Sequence, residues 1–119
     1  MQDFRNLKVW EKAHALTLNV YRNTRDFPAD ERFGLTCQLR RSCASVPANL
    51  AEGCARATSI DFARFVNNAA GSASETDYHL LLARDLEYLS EPIYLPLLEQ
   101  ISEVKRMLNS FERTLRGNS

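Results

Sequence analysis

No stretch of this 119-residue chain approaches the ~20 consecutive apolar residues that a bilayer-spanning helix needs, so a helical membrane protein is excluded and no membrane partner is expected. Glycine and proline occur four times each, too rarely for a collagen-like, low-complexity or linker-rich chain. An excess of one charge is also missing. Fifteen Lys and Arg balance fifteen Asp and Glu, which argues against coating nucleic acid by bulk charge but leaves room for a local basic patch. Cysteine is scarce: Cys37, Cys43 and Cys54 are an odd set and poor material for a disulfide scaffold. On one helix, Cys37 and Cys43 would lie about 240° apart, and Cys43 and Cys54 roughly 16 Å apart. Neither pair could bridge or grip one zinc, and all three read as small buried apolar residues. There is no Gly-x-Ser-x-Gly elbow and no glycine-rich phosphate loop, which points away from an enzyme. The opening Met1-Gln2-Asp3-Phe4-Arg5 lacks the layout of a secretory signal, so a cytoplasmic protein is expected.

What the chain has is helical periodicity. Leu7, Trp10, Ala13, His14, Thr17, Val20, Tyr21 and Thr24 recur at spacings of three and four, predicting a helix over 7–25 that Phe27-Pro28 ends. Pro28, Asp30 and Glu31 suit the first turn of a second helix, with Thr36 as a further cap. Its row is Leu35, Leu39, Cys43, Val46, Leu50 and Cys54. Pro47 falls inside it, so a helix kinked at Pro47 but continuous to 53–56 is expected, with two separate helices as the alternative. Thr58-Ser59-Ile60-Asp61 resembles a capping box, starting a third helix near Ser59. Its row runs Phe62, Phe65, Val66, Ala69, Ala73, Thr76, Leu80, Ala83 and Leu86. The small residues 69–74 should mark its tightest packing. Glu91-Pro92 is expected to close it. Pro96 fits the first turn of a fourth helix carrying Leu97, Ile101, Val104, Leu108, Phe111 and Leu115, with Gly117 as its stop. No segment alternates with period two. The prediction is one all-α domain over 1–119, an antiparallel up-down-up-down four-helix bundle. Val9, Leu16, Leu18, Ile60, Leu81, Leu82, Leu95 and Leu98 fall off the main stripes, and some of them should lie between subunits.

Three constellations could carry chemistry. Di-metal bundles use two Glu-x-x-His motifs on separate helices. Glu11-Lys12-Ala13-His14 is one, and Glu75 and His79 share a face, but Glu99 and Glu103 bring no histidine. The second motif is incomplete, so no metal or cofactor is expected, with His14 partly buried and His79 at the surface. The second constellation is basic. Residues 1–28 carry +2, 29–58 +1, 59–92 −4 and 93–119 +1. The third helix is therefore acidic, while Lys8, Lys12, Arg22, Arg25, Arg40, Arg41 and Arg56 are candidate contacts to RNA, DNA or another partner. The third is the Ser45–Gly53 run. Ser45, Pro47, Asn49, Glu52 and Gly53 read as a structural motif in which Ser45, Asn49 and Glu52 stabilise the proline site and pair with Arg40 or Arg41.

Phe27-Pro28-x-x-Glu31-x-Phe33-Gly34-Leu35-Thr36-x-Gln38-Leu39-Arg40-Arg41 is followed by Ser45-Val46-Pro47-x-Asn49-Leu50-Ala51-Glu52-Gly53, Phe62-x-x-Phe65, Ala69-x-Gly71-Ser72-x-x-Glu75 and Leu86-x-Tyr88-Leu89. With Phe4-x-x-Leu7-x-Val9-Trp10, these residues resemble the four-helix-bundle family of proteins encoded in 23S rRNA intervening sequences. The resemblance implies a homopentamer without a settled activity. Accessory proteins of diversity-generating retroelements are similar in architecture, but they are basic pentamers that bind nucleic acid and a reverse transcriptase, and the neutral balance here departs from them. The expected function is thus a non-enzymatic homo-oligomeric module that binds a macromolecular partner, whether RNA or DNA or a protein alone. A di-metal carboxylate enzyme is the remote alternative.

Overall fold

A computed structural model describes residues 3–117, and no strand occurs among them. Four helices account for most of the chain: α1 (Lys8–Asn23), α2 (Leu35–Cys54), α3 (Ser59–Asp85) and α4 (Glu91–Leu115). Single 3-10 turns at Phe4–Asn6 and Ala29–Glu31 precede α1 and α2. Cross-helix contacts pair rising with falling residue numbers. Thr17 meets Cys43 and Tyr21 meets Arg40 between α1 and α2. Ser45 meets Ser72 and Gly53 meets Phe62 between α2 and α3. Phe62 meets Phe111 and Arg84 meets Tyr94 between α3 and α4. Lys12 meets Glu103 and Asn19 meets Gln100 between α1 and α4. Every neighbouring pair is therefore antiparallel. α1 touches α2 and α4 but not α3, so α1 and α3 stand on opposite corners of the bundle.

The core runs the length of a 43 × 24 × 20 Å molecule. Leu16, Leu39, Leu50, Leu80, Ile101 and Leu108 are its largest fully buried side chains. α1 is turned relative to the expected stripe. It buries Val9, Ala13, Leu16, Thr17 and Val20, whereas Trp10 is half-buried and His14 and Tyr21 are exposed. Those three lie roughly 70–110° round the helix from the row that meets the other helices. Val9 and Leu16, two of the eight off-stripe residues, are thus core residues. Of the other off-stripe residues, Leu82 and Leu98 are half-buried, while Leu18, Ile60, Leu81 and Leu95 are exposed. Cys43 and Cys54 are buried as expected, whereas Cys37 is exposed, against the expectation of burial. Burial pushes the Cys43 thiol up to about 11 although Thr17 bonds to it. Burial, reinforced by the charge of Asp3, raises that of Cys54.

Helix ends explain the other departures. α2 starts at Leu35, because Pro28 leads only into the 3-10 turn. Its cap is Glu31 rather than Thr36: Oε1 accepts from the Leu35 N–H at 3.0 Å, and Oε2 accepts from the Tyr88 hydroxyl at 2.9 Å. These bonds, the backbone N–H foremost, hold the Glu31 carboxyl below its ordinary range. The same contact raises the Tyr88 phenol. α2 continues through Pro47 to Cys54. The proline removes the N–H that would reach the Cys43 carbonyl. The Thr17 hydroxyl stands in from α1, its one proton shared between the Ala13 carbonyl at 2.8 Å and the Cys43 carbonyl at 3.4 Å.

α3 starts at Ser59 as predicted, with Thr58 Oγ1 accepting from the Asp61 N–H at 3.1 Å. It ends at Asp85, earlier than expected, so Leu86 is exposed rather than in the core row. The stop is a Schellman turn. Tyr88 N–H donates to the Ala83 carbonyl and Glu87 N–H to the Arg84 carbonyl, with Glu87 at φ 65° where glycine is usual. Glu91-Pro92 consequently opens α4 instead of closing α3. Pro92 sits in the first turn, where a missing N–H is harmless, and Pro96 lies on the exposed side of the next turn. Ala69 and Ala73 are fully buried, but Gly71 faces open space. The glycine that permits close approach is Gly53: a Cβ there would lie 2.7 Å from Phe62 Cδ1 and 3.0 Å from Phe65 Cβ.

Candidate functional site

A polar seam crosses the otherwise apolar contact of α2 and α3. Asn49 Nδ2 donates to the Ser45 carbonyl at 2.8 Å and to Ser45 Oγ at 3.0 Å. Ser45 Oγ is 2.9 Å from Ser72 Oγ. One turn along, Thr76 Oγ1 lies 2.9 Å from Ser42 Oγ and 2.8 Å from the Ser72 carbonyl. Ser42 Oγ reaches the Leu39 carbonyl at 3.2 Å and His79 Nδ1 at 3.4 Å. His79 Nε2 is 3.9 Å from Glu75, which pairs with Arg41. Among the described residues no buried side-chain polar atom lacks a partner, which is what burying this many hydroxyls requires.

The Ser45–Gly53 motif thus divides. Ser45 and Asn49 belong to the seam. Pro47 is buried, and Gly53 admits the α3 phenylalanines. Glu52 turns outward to Arg56 at 3.6 Å. The expected pairing with Arg40 or Arg41 does not occur: Arg41 takes Glu75 and Gln38, and Arg40 reaches back to α1. Ser42, Thr76 and His79 complete the seam unforeseen. The available signal was the hydroxyl positions 42 and 76 falling at core spacing beside Leu39 and Leu80.

Ser42, His79 and Glu75 have the order of a hydrolase triad, but the chemistry fails on access. Ser42 has no exposed surface, and its hydroxyl is already engaged with a carbonyl and Thr76. A nucleophile must reach its substrate. Burial, ahead of the opposing charge of Glu75, lowers the His79 pKa from its ordinary value. The side chain is 13% exposed, whereas His14 is exposed and stacks on Trp10 with ring centroids 4.9 Å apart. The two histidines therefore exchange the surroundings expected of them. The di-metal candidates do not converge: Glu11 and His14 are exposed on α1, Glu75 and His79 face α2, and Glu103 faces Lys12. Among the described residues no three His, Cys, Asp or Glu stand close enough to hold a metal ion.

The basic candidates separate likewise. Lys12 pairs with Glu103 at 3.5 Å, Arg41 with Glu75, and Arg56 with Glu52. Arg40 lies over the Tyr21 ring, 4.7 Å from its centroid. Its Nε donates to Thr24 Oγ1 at 2.8 Å. Lys8, Arg22 and Arg25 are exposed and form no ion pair among the described residues. Arg25 and Arg40 share a cleft with Arg32, a residue that spacing gave no reason to select.

The outer surface carries large apolar side chains: Leu18 and Tyr21 on α1, Ile60, Tyr78 and Leu81 on α3, Ile93 and Leu95 on α4, and Phe33 before α2. Ile60 is 55% exposed, Tyr78 58% and Phe33 85%. No helix among the described residues is long and apolar enough to cross a membrane.

The class is an all-helical four-helix bundle whose polar groups brace helix packing. Residues 5–110 match the family model described as 23S rRNA-intervening sequence protein, and the chain belongs to that family. The fold is similar to the crystal structure of a protein with unknown function from the S23 ribosomal protein family of Bacteroides thetaiotaomicron VPI-5482. The TM-score is 0.79 at 25% identity, over 88% of this chain and 98% of that one. No curated protein matches.

Proposed function

We propose that the protein is a non-enzymatic homo-oligomeric module, a ring of five copies, that presents repeated surfaces to a macromolecular partner. The observation that carries this reading is the placement of exposed apolar side chains on opposite corners of the bundle. Leu18 and Tyr21 lie on α1, and Tyr78 and Leu81 on α3. A ring with an odd number of copies needs two different, complementary faces on each chain. The charges agree in sign, since residues 1–28 carry +2 and residues 59–92 carry −4. Apolar contact supplies the association, and the opposite charges set its register. Light scattering at micromolar concentration should give five times the 13.6 kDa chain mass. A mass of 13.6 kDa overturns the reading.

A second reading, contact of the ring with RNA or DNA, is favoured by the unpaired Lys8, Arg22 and Arg25. Five copies of a weak phosphate contact add by avidity. Such binding weakens steeply with added salt, and a flat salt response or no binding at low salt counts against it. A partner retained after nuclease treatment supports a protein-only partner instead.

A further inference from the structure

Between the end of α1 and the start of α2 lies a cleft of about 290 Å³ whose lining includes Thr24, Arg25, Arg32, Thr36 and Arg40. We propose that this cleft holds a phosphate group, carried by a nucleotide or by a nucleic-acid backbone, between the guanidinium groups of Arg25, Arg32 and Arg40. For its ligand's source it rests on the nucleic-acid reading; the site itself lies within one chain and needs no assembly.

Arg25, Arg32 and Arg40 all line this one cleft, and three cations so grouped favour an anion between them. Arg41, Arg56, Arg64 and Arg84 each reach a carboxylate, but Arg25, Arg32 and Arg40 reach none among the described residues. Asp26 and Asp30 are close in sequence, yet neither lines the cleft nor pairs with these arginines. Arg40 is already positioned. The Tyr21 ring lies against its plane. Nε donates to Thr24 Oγ1 at 2.8 Å, and one terminal nitrogen donates to the Tyr21 carbonyl at 3.4 Å. The guanidinium has five N–H groups, so the rest of the fork stays available in a fixed orientation. A planar fork matches phosphate oxygens in pairs, and ordering it beforehand removes much of the entropy cost of binding. Arg25 and Arg32 are exposed; Arg32 rests over the exposed Phe33 ring, 5.3 Å from its centroid, and swings off it to close over the anion, while Thr36 completes the wall. The negative charge is specified by the three cations. At about 290 Å³ the cleft lies at the lower edge of the ~300–1,000 Å³ range of pockets that enclose drug-sized ligands, room enough for a phosphate with its immediate substituents.

The test is calorimetric titration of the full chain with pyrophosphate at low salt. Saturable binding is expected in the wild type, weakened at least tenfold by Arg32→Gln and by Arg40→Gln. Arg113→Gln removes the same charge from the last turn of α4, far from the cleft, and should leave binding unchanged. Because Arg40 also braces α1 against α2, Arg32→Gln is the decisive variant, with its fold checked by circular dichroism. No saturable binding in the wild type overturns the proposal. So does an equal loss in Arg113→Gln, which would mean bulk charge alone. A single-stranded oligonucleotide lacking terminal phosphates identifies the source. If it displaces pyrophosphate, the cleft reads backbone phosphate. If pyrophosphate binds and the oligonucleotide does not compete, the site stands with a free nucleotide-type phosphate as ligand, and nucleic-acid contact at this cleft falls.

Discussion

The two long sides of this bundle are built differently. Between α2 and α3, small residues, a glycine and a ladder of hydroxyls bring two backbones close with every buried side-chain polar atom partnered. Between α1 and α4, the cross-helix polar contacts are the half-buried Asn19–Gln100 bond and the exposed Lys12–Glu103 pair. Three clefts of about 450, 400 and 280 Å³ open along that side. α1 and α4 close the ring of helices through the core side chains and touch little beyond it. Stability should therefore be concentrated in the α2–α3 side, and changes between α1 and α4 should be cheap.

The sharpest way to break this contrast is Gly53→Val. The new side chain would have to displace Phe62 and Phe65, and overpacking of this kind outweighs the gain in helix propensity, for a net loss of about 2–3 kcal/mol. Asn19→Ala, on the other side, should cost less than about 1 kcal/mol. Urea unfolding of both variants measures the difference, and equal losses would dissolve the distinction.

A smaller effect is expected from Thr76→Val. It keeps shape but removes the hydroxyl that joins Ser42 to Ser72; Ser42 keeps the Leu39 carbonyl and His79, so the cost is that of lost hydrogen bonds and a buried hydroxyl, about 1–2 kcal/mol. A neutral result would mean the ladder is incidental to the packing.

The weakest expected effect is at the end of the α2–α3 side, where Glu31 ties the start of α2 to Tyr88. Its carboxyl titrates below the ordinary 4.5. The stabilisation is therefore present above pH 4.5 and is lost as the pH falls through the lowered native value, because the unfolded chain binds the proton first. His79, whose lowered pKa reflects burial, acts with the same sign at higher pH: stability falls as the pH drops below 6.5. Thermal melts of the wild type and Glu31→Gln from pH 7 to pH 3 should show the variant losing less stability below pH 4.5. Parallel curves would remove Glu31 from the account.

Much of this was legible in the chain. Spacings of three and four placed all four helices, and Thr58 through Asp61 placed the start of α3, because a side-chain cap is a local interaction. The register of α1 was not, since Val9 and Leu16 on one side and Trp10, His14 and Tyr21 on the other form two rows of similar polarity. Only the neighbouring helices decide which row is buried. The end of α3 was hidden because Glu87 occupies a left-handed position without the glycine that would announce it. Glu91-Pro92 is ambiguous on its own, because proline both ends and begins helices. The seam was half visible through Ser45 and Asn49, while His79 and the cleft around Arg32 exist only once distant turns meet.

In the proposed ring, α1 of one copy meets α3 of the next. Leu18→Glu should spoil the first face and Tyr78→Glu the second, each alone leaving a 13.6 kDa species in light scattering. Mixed in equal amounts, the intact α1 face of the Tyr78→Glu chain should join the intact α3 face of the Leu18→Glu chain and give a species of twice that mass. Two variants that remain monomeric on mixing, or either one still assembling alone, would contradict the account.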